Sequence, residues 1–500
     1  MPTVTLESCA PVADLTGRLP EDILSLIISL ISVREAATTS ILSKRWRYLW
    51  TTSSNLDLDP KNMLGHFLNL GHFKSQHTQW KQKQKGRFVR WANHILELYA
   101  GKKVDSFRVE YPLGRDHGCD IDRWIQFAID MQVQNLSINL LEHHLSDLSR
   151  ELYKFPDWLC DQAGKKSKMK HLSLNFCSLS IPANFNGLNS LSSLSLTKTS
   201  LSQENVDNIL NGCPSLEWFS MSECRCPFHL KLCSGCLFLR LRHLKIFRCD
   251  TLEKVEIHDA ISIASIEYGA EMFGQVLLKN SAQPVRICTT LDRTLQRDRL
   301  NLQSDPTTQM TYILGTLAKD YPLLETLLVI APVVQVDIIP KHLTTFTRLK
   351  LLKLLRVRFR EILLDLTSAF WEVAPLLVEL EMDLQLPCTD EEKIERQKIV
   401  DGADYTEHKK VPLKEYCQHH RLKEVKLSGF RGNPIQLDLA VLLLKNALLL
   451  EKMRIVREIT LYSGDGECWV LKLNKDGIKQ EQILKILGPE VLSTVNLVLE

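Results

Sequence analysis

The feature that most constrains this chain is a short apolar pattern that recurs along most of its length. Each copy has an apolar residue, two variable positions and then a closing pair of apolar residues separated by one position, as in Leu172 and Leu174. In the middle of the chain the second members of successive pairs are 22 or 25 residues apart. Such a period indicates structural units that stack on one another, because one unit cannot bury its apolar face alone.

The closing pairs fall into two series. The first series is Phe107/Val109, Leu136/Ile138, Leu172/Leu174, Leu194/Leu196, Phe219/Met221, Leu244/Ile246 and Ile266/Tyr268. The second is Leu327/Val329, Leu352/Leu354, Leu380/Met382, Val425/Leu427 and Met453/Ile455. A cysteine follows three residues after the pair at Cys177, Cys224 and Cys249. The pattern resembles a leucine-rich-repeat array, which predicts an α/β solenoid with parallel strands on its concave face.

Segments between and around the pairs read as helices and end covers. Residues 206–210, followed by Cys213-Pro214, predict a short helix, and residues 123–129 predict another. Solenoid ends need covers. We expect a helix over 88–99 at one end, and a strand, turn, helix and last strand over 420–456 at the other.

Two stretches depart from the repeat. The interval from Tyr268 to Val329 has 61 residues without a clean pair, although Val285 and Ile287 suggest a degenerate copy. Residues 388–410 are rich in Asp, Glu and Lys. We predict that both are loops, the second a solvated, charged insertion.

Residues 14–59 read differently, as a compact unit of three short helices. Pro20 suits a first helical turn, and the apolar residues that follow form one broad face. Ser32 and Glu35 form a capping box for a second helix, and a third is predicted from Ser43. A unit this small, with a first helix that is apolar nearly all round, is expected to need a partner.

The run from Leu19 to Trp50, LPEDILSLIISLISVREAATTSILSKRWRYLW, is similar to the F-box of plant proteins. This resemblance implies docking to the Skp-type adaptor of a cullin-RING ubiquitin ligase. The residues implied as contacts are Leu19, Pro20, Ile23, Leu24 and Ile27, with Leu42 and Trp46 supporting them. An alternative is that these apolar residues pack inward and the helices merely cover the solenoid. The C-terminal region from residue 411 also resembles the FBD region of plant F-box/leucine-rich-repeat proteins.

Composition narrows the class of partner. Lys and Arg number 62 against 59 Asp and Glu, a balance that does not favour nucleic acid or anionic lipid as the main partner. We expect no membrane segment, an intracellular location in the cytoplasm or nucleus, and reduced cysteines among the 14 present.

Alternation along each strand predicts a contact surface for a target. If the closing pairs enter the core, the residues between and after them face the concave side. These candidates are Ser173, Asn175, Ser195, Thr197, Ser220, Ser222, Lys245, Phe247, Glu267, Lys353, Glu381, Asp383, Lys426 and Arg454. Binding through the loops or the convex side is the alternative.

Other motifs carry less chemistry. The cluster Cys224, Cys226, His229, Cys233 and Cys236 could suggest zinc, but Cys224 is already a repeat position and C-x-C is shorter than usual zinc spacings, so we predict no metal and no cofactor. The basic run over 74–90 is interpreted as part of a flexible, solvated linker, and the linker itself is assigned to residues 60–87. The pairs His143-His144 and His419-His420 are predicted to be surface residues. No G-x-S-x-G, P-loop or H-E-x-x-H motif occurs, so nothing proposes catalysis.

The sequence therefore predicts a flexible start over 1–13, a docking module over 14–59, a linker, a solenoid over 88–410 and a closing region over 411–500. The leading functional hypothesis is a non-catalytic adaptor that holds an unidentified target protein for a ubiquitin ligase of the Skp-cullin-F-box (SCF) type, leading to degradation of the target. Two alternatives stay open: a leucine-rich-repeat scaffold or signal-binding protein without a ubiquitin connection, and a zinc- or cysteine-dependent enzyme.

Overall fold

The computed structural model describes most of the chain in two compact units, Met1–Thr199 and Ser200–Glu500. The described residues are 19–31, 33–41, 46, 49–64, 78–140, 152–156, 167–183, 188–233, 240–249, 251–269, 275–291, 306–331, 339–358, 362–385, 417–464, 467–471, 478–491 and 493–500. The predicted insertion over 388–410 and the pair His143-His144 lie outside them.

Short helices begin the first unit. They are α1 (Glu21–Ser29), α2 (Val33–Thr38) and α3 (Pro60–Leu64), with 3₁₀ turns at Thr39–Ile41 and Leu49–Thr52. Pro20 stands at the N-cap of α1, as its missing N–H allows. Ser32 and most of the third predicted helix lie outside the described residues, and the part that is described, Leu49–Thr52, is a 3₁₀ turn.

A parallel sheet follows in the first unit. Its strands are β1 (Asn55–Leu58), β2 (Ser106–Glu110), β3 (Asn135–Asn139), β5 (His171–Asn175) and β7 (Ser193–Thr197), with β4 (Tyr153–Lys154) and β6 (Cys177–Ser178) pairing separately. The five strands of the sheet pair in this order in register. Helices α4 (Thr78–Leu98) and α5 (Gly118–Asp130) belong to the same unit.

The second unit continues the same architecture. Its main strands are β8 (Trp218–Ser222), β10 (His243–Phe247), β12 (Ser265–Gly269), β14 (Arg286–Thr290), β15 (Thr326–Ile330), β16 (Leu351–Val357), β17 (Glu379–Leu384), β18 (Glu424–Ser428), β19 (Lys452–Ile455) and β22 (Asn496–Leu499). Each pairs in parallel with the next.

Two smaller sheets and several helices complete this unit. Strands β9 (His229–Leu232), β11 (Lys254–His258) and β13 (Val276–Lys279) form a parallel sheet, and β20 (Ile459–Gly464) and β21 (Glu467–Leu471) form an antiparallel hairpin. The helices are α6 (Gln203–Gly212), α7 (Pro306–Gly315), α8 (Leu317–Asp320), α9 (Leu363–Val373), α10 (Pro434–Asn446) and α11 (Gln480–Leu487).

The repeat prediction is confirmed in both units. Every closing pair of the two series lies on a parallel strand, and its side chains are buried in the core of the repeats. The helices predicted near residues 123–129 and 206–210 are α5 and α6, and Ser202 caps α6 by accepting the Asn205 N–H. The fold is thus an α/β leucine-rich-repeat solenoid with short helices before its strands.

Two predictions, one of a loop and one of a linker, are wrong. The interval after Tyr268 holds β13, β14, α7 and α8. The suggested degenerate repeat is β14, but its core positions are Ile287 and Thr289, beside Ile266 and Tyr268 of β12, so Val285 is not part of the pair. Helix α4 begins at Thr78, within the predicted linker. Gln, Lys and Arg have a high helix propensity, so a polar, basic run can form a helix as well as a solvated linker. Residues 55–58, at the end of the predicted docking module, form the strand β1.

The closing region has the predicted strand, turn, helix and strand as β18, α10 and β19, but β19 is not the last strand. Strand β22 pairs with it, Met453 beside Leu497 and Ile455 beside Leu499. The signal for β22 was present, since Leu497 and Leu499 have the spacing of a closing pair. The chain therefore adds one further strand after the predicted cap.

Candidate docking and target-binding surfaces

Helix α1 presents two apolar faces with different environments. Leu24 and Ile28 are fully buried and form a core with Ala36 and Trp46, against which Leu19 packs. The opposite side carries four apolar side chains on the surface. Their exposed fractions are 43% for Ile23, 57% for Leu26, 38% for Ile27 and 79% for Leu30.

We name Ile23, Leu26, Ile27 and Leu30 the docking patch. These residues are spaced i, i+3, i+4 and i+7, which places them on one side of a helix. Contiguous exposed apolar side chains of this kind mark interaction sites more often than isolated ones do. The inward-packing alternative therefore holds for Leu24, Ile28 and Trp46 and in part for Leu19, whereas the docking patch keeps a surface for a second protein.

The residues predicted to contact an adaptor are divided by this geometry. Ile23 and Ile27 lie in the docking patch, Pro20 is exposed beside it and Leu19 is half-buried. The side chain of Leu24 has no exposed surface, so its role is to support the helix, as predicted for Trp46. Leu26 and Leu30 belong to the patch although sequence analysis did not assign them to a partner. Leu42 lies outside the described residues.

The module is fixed to the sheet through main-chain bonds. The Thr51 carbonyl accepts the N–H groups of Ala100 and Gly101 at 2.9 and 3.1 Å. The Ser54 carbonyl accepts those of Asp105 and Ser106 at 2.7 and 3.2 Å. These bonds hold the end of the module against the start of β2.

The predicted target-binding residues align in rows across the strands. We call the side of each sheet opposite the repeat core the open face. In the first unit Ser137, Ser173 and Ser195 are direct neighbours there, and Asn139, Asn175 and Thr197 form the next row. Their side chains are half-buried, and the short polar groups present hydroxyl and amide atoms on this face.

In the second unit the corresponding row begins with Ser220, Lys245 and Glu267 and continues through Cys288 and Leu328. It then passes through Lys353, Glu381, Lys426 and Arg454. Cys288 comes from the interval that was predicted to be a loop, and Leu328 lies within the predicted pair Leu327/Val329 but was not among the contact candidates. An apolar middle in a charged row was therefore not predicted.

The predicted contact residues of this row differ in accessibility. Lys353 Nζ lies 2.9 Å from the Glu381 carboxylate, and both side chains are partly exposed, as are those of Lys426 and Arg454. Ser222 and Phe247 are half-buried on β8 and β10, and the Arg248 guanidinium lies 5.3 Å from the Phe247 ring centroid.

Four candidates are buried: Ser220, Lys245, Glu267 and Asp383. The hairpin of β20 and β21 contacts two of them. The Tyr462 hydroxyl donates a hydrogen bond of 2.7 Å to Glu267, and the Thr460 N–H donates one of 2.5 Å to Asp383. This hairpin was not predicted, although the segment ITLYSGDGECWVL has apolar residues that favour strands on both sides of Gly-Asp-Gly.

The cysteine cluster does not form a metal-binding group in the described part of the chain. Cys224 and Cys226 are buried, and Cys236 lies outside the described residues. His229 Nε2 instead lies 3.3 Å from the Glu256 carboxylate, which also bonds Lys254 and Lys279 at 2.9 and 2.8 Å. Across the described ranges no group of three or more His, Cys, Asp or Glu could hold a metal ion.

His419, predicted to be a surface residue, is buried. Its Nδ1 accepts the N–H groups of Arg421 and Leu422 at 3.2 and 3.0 Å, and its Nε2 lies 3.0 Å from the Ala374 carbonyl oxygen. It is a structural residue that closes the turn before β18. Among the helices that the structure describes, none combines the length and apolar character needed to cross a membrane.

Both the N-terminal module and the repeats match models of known protein families. A family model described as "At1g61320/AtMIF1, LRR domain" matches residues 95–481, and a model of the F-box domain matches residues 17–58. The first match covers well over half of the chain.

Similar curated proteins come from Arabidopsis thaliana. F-box/LRR-repeat protein At3g03360 is 31% identical over 258 residues, which is 49% of this chain and 45% of that protein. F-box/FBD/LRR-repeat protein At1g13570 is 27% identical over 209 residues, 42% of this chain and 44% of that protein. The chain spans about half the length of these curated relatives. It belongs to the At1g61320/AtMIF1 leucine-rich-repeat family, and it is a plant protein of the F-box/leucine-rich-repeat class.

Proposed function

We propose that this protein is a non-catalytic adaptor that binds a target through its repeats and presents it to a ubiquitin ligase of the SCF type. The F-box/leucine-rich-repeat class suggests this role in general. The observation that carries the proposal is the docking patch, an exposed apolar face on the helix that the F-box match covers.

The proposed mechanism is proximity. One end of the protein docks a Skp-type adaptor, which brings a cullin-RING ligase, and the repeats hold a target near the ubiquitin that is transferred. Rate then comes from a raised effective concentration and needs no reactive group on this chain. We accordingly place its action in the cytoplasm or nucleus, with reduced cysteines.

The docking patch fits the proposed partner chemically. Exposed isoleucine and leucine side chains bind best where a complementary surface removes them all from water together. The main-chain bonds from Thr51 and Ser54 support the proposal, because an adaptor docked on α1 would be held at a fixed position relative to the first repeats.

Co-purification tests the proposal. The full-length chain and an Ile23→Asp/Ile27→Asp variant would each be expressed with a plant Skp-type subunit and isolated through a tag on this chain. We expect the wild type to retain the subunit and the variant to lose it. Retention by the variant at the wild-type level would contradict docking at this patch.

A further inference from the structure

The hairpin of β20 and β21 lies across the open face of the second unit. After β19 the chain turns back at Val456, whose N–H bonds the Leu427 carbonyl, and Gly429 N–H bonds the Glu458 carbonyl at 2.8 Å. Gly429 has a φ of +67°, and an added Cβ would lie 2.8 Å from the Leu384 carbonyl oxygen. A glycine at this position therefore lets the chain after β18 pass close to the end of β17.

Tyr462 covers an apolar patch that the open face would otherwise expose. The patch consists of Cys288, Leu328, Ile330 and Leu355 on β14, β15 and β16, and the Tyr462 ring packs against it. These four side chains are at most 8% exposed, although they point away from the repeat core. Removal of the hairpin would bring them into contact with water.

Polar groups on both sides of the apolar patch also bind the hairpin. Glu267, which accepts the Tyr462 hydroxyl, lies 3.3 Å from Lys245 Nζ. Asp383 accepts the Thr460 N–H from the other side. A ring, a hydroxyl donor and a main-chain donor are thus recognised together, which is how an extended peptide is bound.

The hairpin is a weak structure by itself. A two-stranded hairpin is marginally stable in water at best, so its position depends on these contacts with the face. Segments held by few contacts open at a free energy well below that of global unfolding. The face can therefore be vacated without unfolding of the repeats.

We propose that the open face between β12 and β17 is a binding site for an extended peptide segment of the target, and that the hairpin of β20 and β21 occupies this site until such a segment displaces it. The segment presents an aromatic ring with a hydrogen-bond donor toward Glu267 and a main-chain N–H toward Asp383. This inference rests on the proposed function of the repeats as the target-binding part.

Alkylation of Cys288 measures whether the hairpin leaves. Its thiol lies beneath Tyr462 and is 2% exposed. Burial also raises its pKa well above that of a free thiol, which keeps the covered form unreactive. Cys249 is a matched control, because it is fully buried in the repeat core and reports unfolding of the unit.

The test compares the full-length wild type with Tyr462→Ala and Tyr462→Phe, with each cysteine followed by mass spectrometry. We expect Cys288 to react at least about tenfold faster in Tyr462→Ala than in the wild type, and at an intermediate rate in Tyr462→Phe. The rate of Cys249 should be the same in all three proteins. A Cys288 rate that is the same in all three proteins would overturn the proposal. If Cys249 also reacts in Tyr462→Ala, the comparison rests on Tyr462→Phe, which keeps the ring.

A synthetic peptide with the sequence of residues 457–473 then tests the vacated face as a binding site. We expect this peptide to restore protection of Cys288 in the Tyr462→Ala protein, and a peptide with alanine in place of the tyrosine not to do so. Failure of the tyrosine peptide to protect would show that the face is no peptide site. Both measurements use this chain without any ligase subunit, so their failure is distinct from a failure of adaptor docking.

Discussion

Ile23 and Leu24 are neighbours in helix α1 and lie in opposite environments, since Ile23 is 43% exposed and Leu24 is fully buried. Consecutive helical residues point about 100° apart, so a helix that is apolar nearly all round can supply a core and a surface together. Leu24 therefore contributes to the stability of the module, and Ile23 is available to bind a partner. The sequence alone did not distinguish these two roles.

Leu24→Ala is predicted to lower the free energy of unfolding of the N-terminal module by about 2–5 kcal/mol, because it leaves a cavity beside Trp46. Ile23→Ala is predicted to change it by less than about 0.5 kcal/mol, since the side chain is largely in water. Urea denaturation followed by tryptophan fluorescence measures both. Equal losses in the two variants would show that Ile23 belongs to the core.

Asp383 gives the second unit a predicted pH dependence. Burial raises the pKa of its carboxyl to about 6, above its unfolded value of 3.8. The folded state therefore binds the proton more tightly, and this contribution to stability is full below about pH 4 and is lost as the pH rises to about 6. Its size is at most about 3 kcal/mol.

Asp383→Asn removes this titration and keeps an oxygen that can accept the Thr460 N–H. We expect the variant to unfold at a higher temperature than the wild type near neutral pH, and the difference to shrink on acidification to about pH 4. Thermal unfolding followed by circular dichroism measures it. A difference that grows on acidification would contradict the assigned direction.

His419 is predicted to make the protein labile to acid. Burial lowers its pKa, and protonation of Nδ1 would remove the acceptor of two main-chain N–H groups. Its stabilisation is therefore present above the ordinary histidine pKa of about 6.5 and lost as the pH falls. His419→Leu lacks the Nδ1 acceptor, so it should melt at a lower temperature than the wild type at about pH 8. The difference between the two melting temperatures should be smaller at about pH 5, where protonation removes the acceptor from the wild type as well. An unchanged melting temperature at the higher pH would refute this role.

Glu256 is the counter-ion of a basic group on the three-stranded sheet of β9, β11 and β13. Hydrogen bonds from Lys279 and Lys254 hold the pKa of its carboxyl well below the usual range. Glu256→Gln should lower the melting temperature, more at low salt than at high salt, because the two lysines and the nearby histidines lose their common anion. Lys350→Gln, which breaks an exposed pair with Glu325, is the matched control. A loss that does not depend on salt would contradict an electrostatic cause.

The repeat could be predicted because the closing pairs are a core requirement of every unit. Leu172 and Leu174 must be apolar wherever the strand lies, so their spacing is visible in the sequence. Ile287 and Thr289 show the limit, since a threonine occupies one buried position of β14 and hides a strand within an interval read as a loop. Polar residues at core positions remove the periodic signal without removing the strand.

The open face was predicted in its register but not in its accessibility. Alternation placed Lys245, Glu267 and Asp383 on this face, and the parallel pairing sets Lys245 beside Glu267 and Asp383 beside Ser428. Glu267 is covered by Tyr462, which lies 195 residues beyond it in the chain and donates a hydrogen bond to its carboxylate. Local patterns contain no information about such a contact.

The pairing of β1 with β2 makes deletion of the N-terminal module a poor test of docking. Deletion of residues 1–60 would take away β1 together with the helices, and expose the edge of β2. Loss of solubility in that deletion would then have two causes. Substitutions in the docking patch leave the sheet complete and are the better variants.

The account is tested most directly by the affinity of the full-length protein for a purified Skp-type adaptor, measured by isothermal titration calorimetry. The Ile23→Asp/Ile27→Asp variant is compared with Ile261→Asp, which changes an isoleucine that is 59% exposed in the second unit. We predict tight binding by the wild type and by Ile261→Asp, and an affinity at least about a hundredfold lower for the double variant, as expected when two central apolar contacts are lost. Equal affinity for all three proteins, or no binding by the wild type, would contradict the claim that helix α1 is the docking surface.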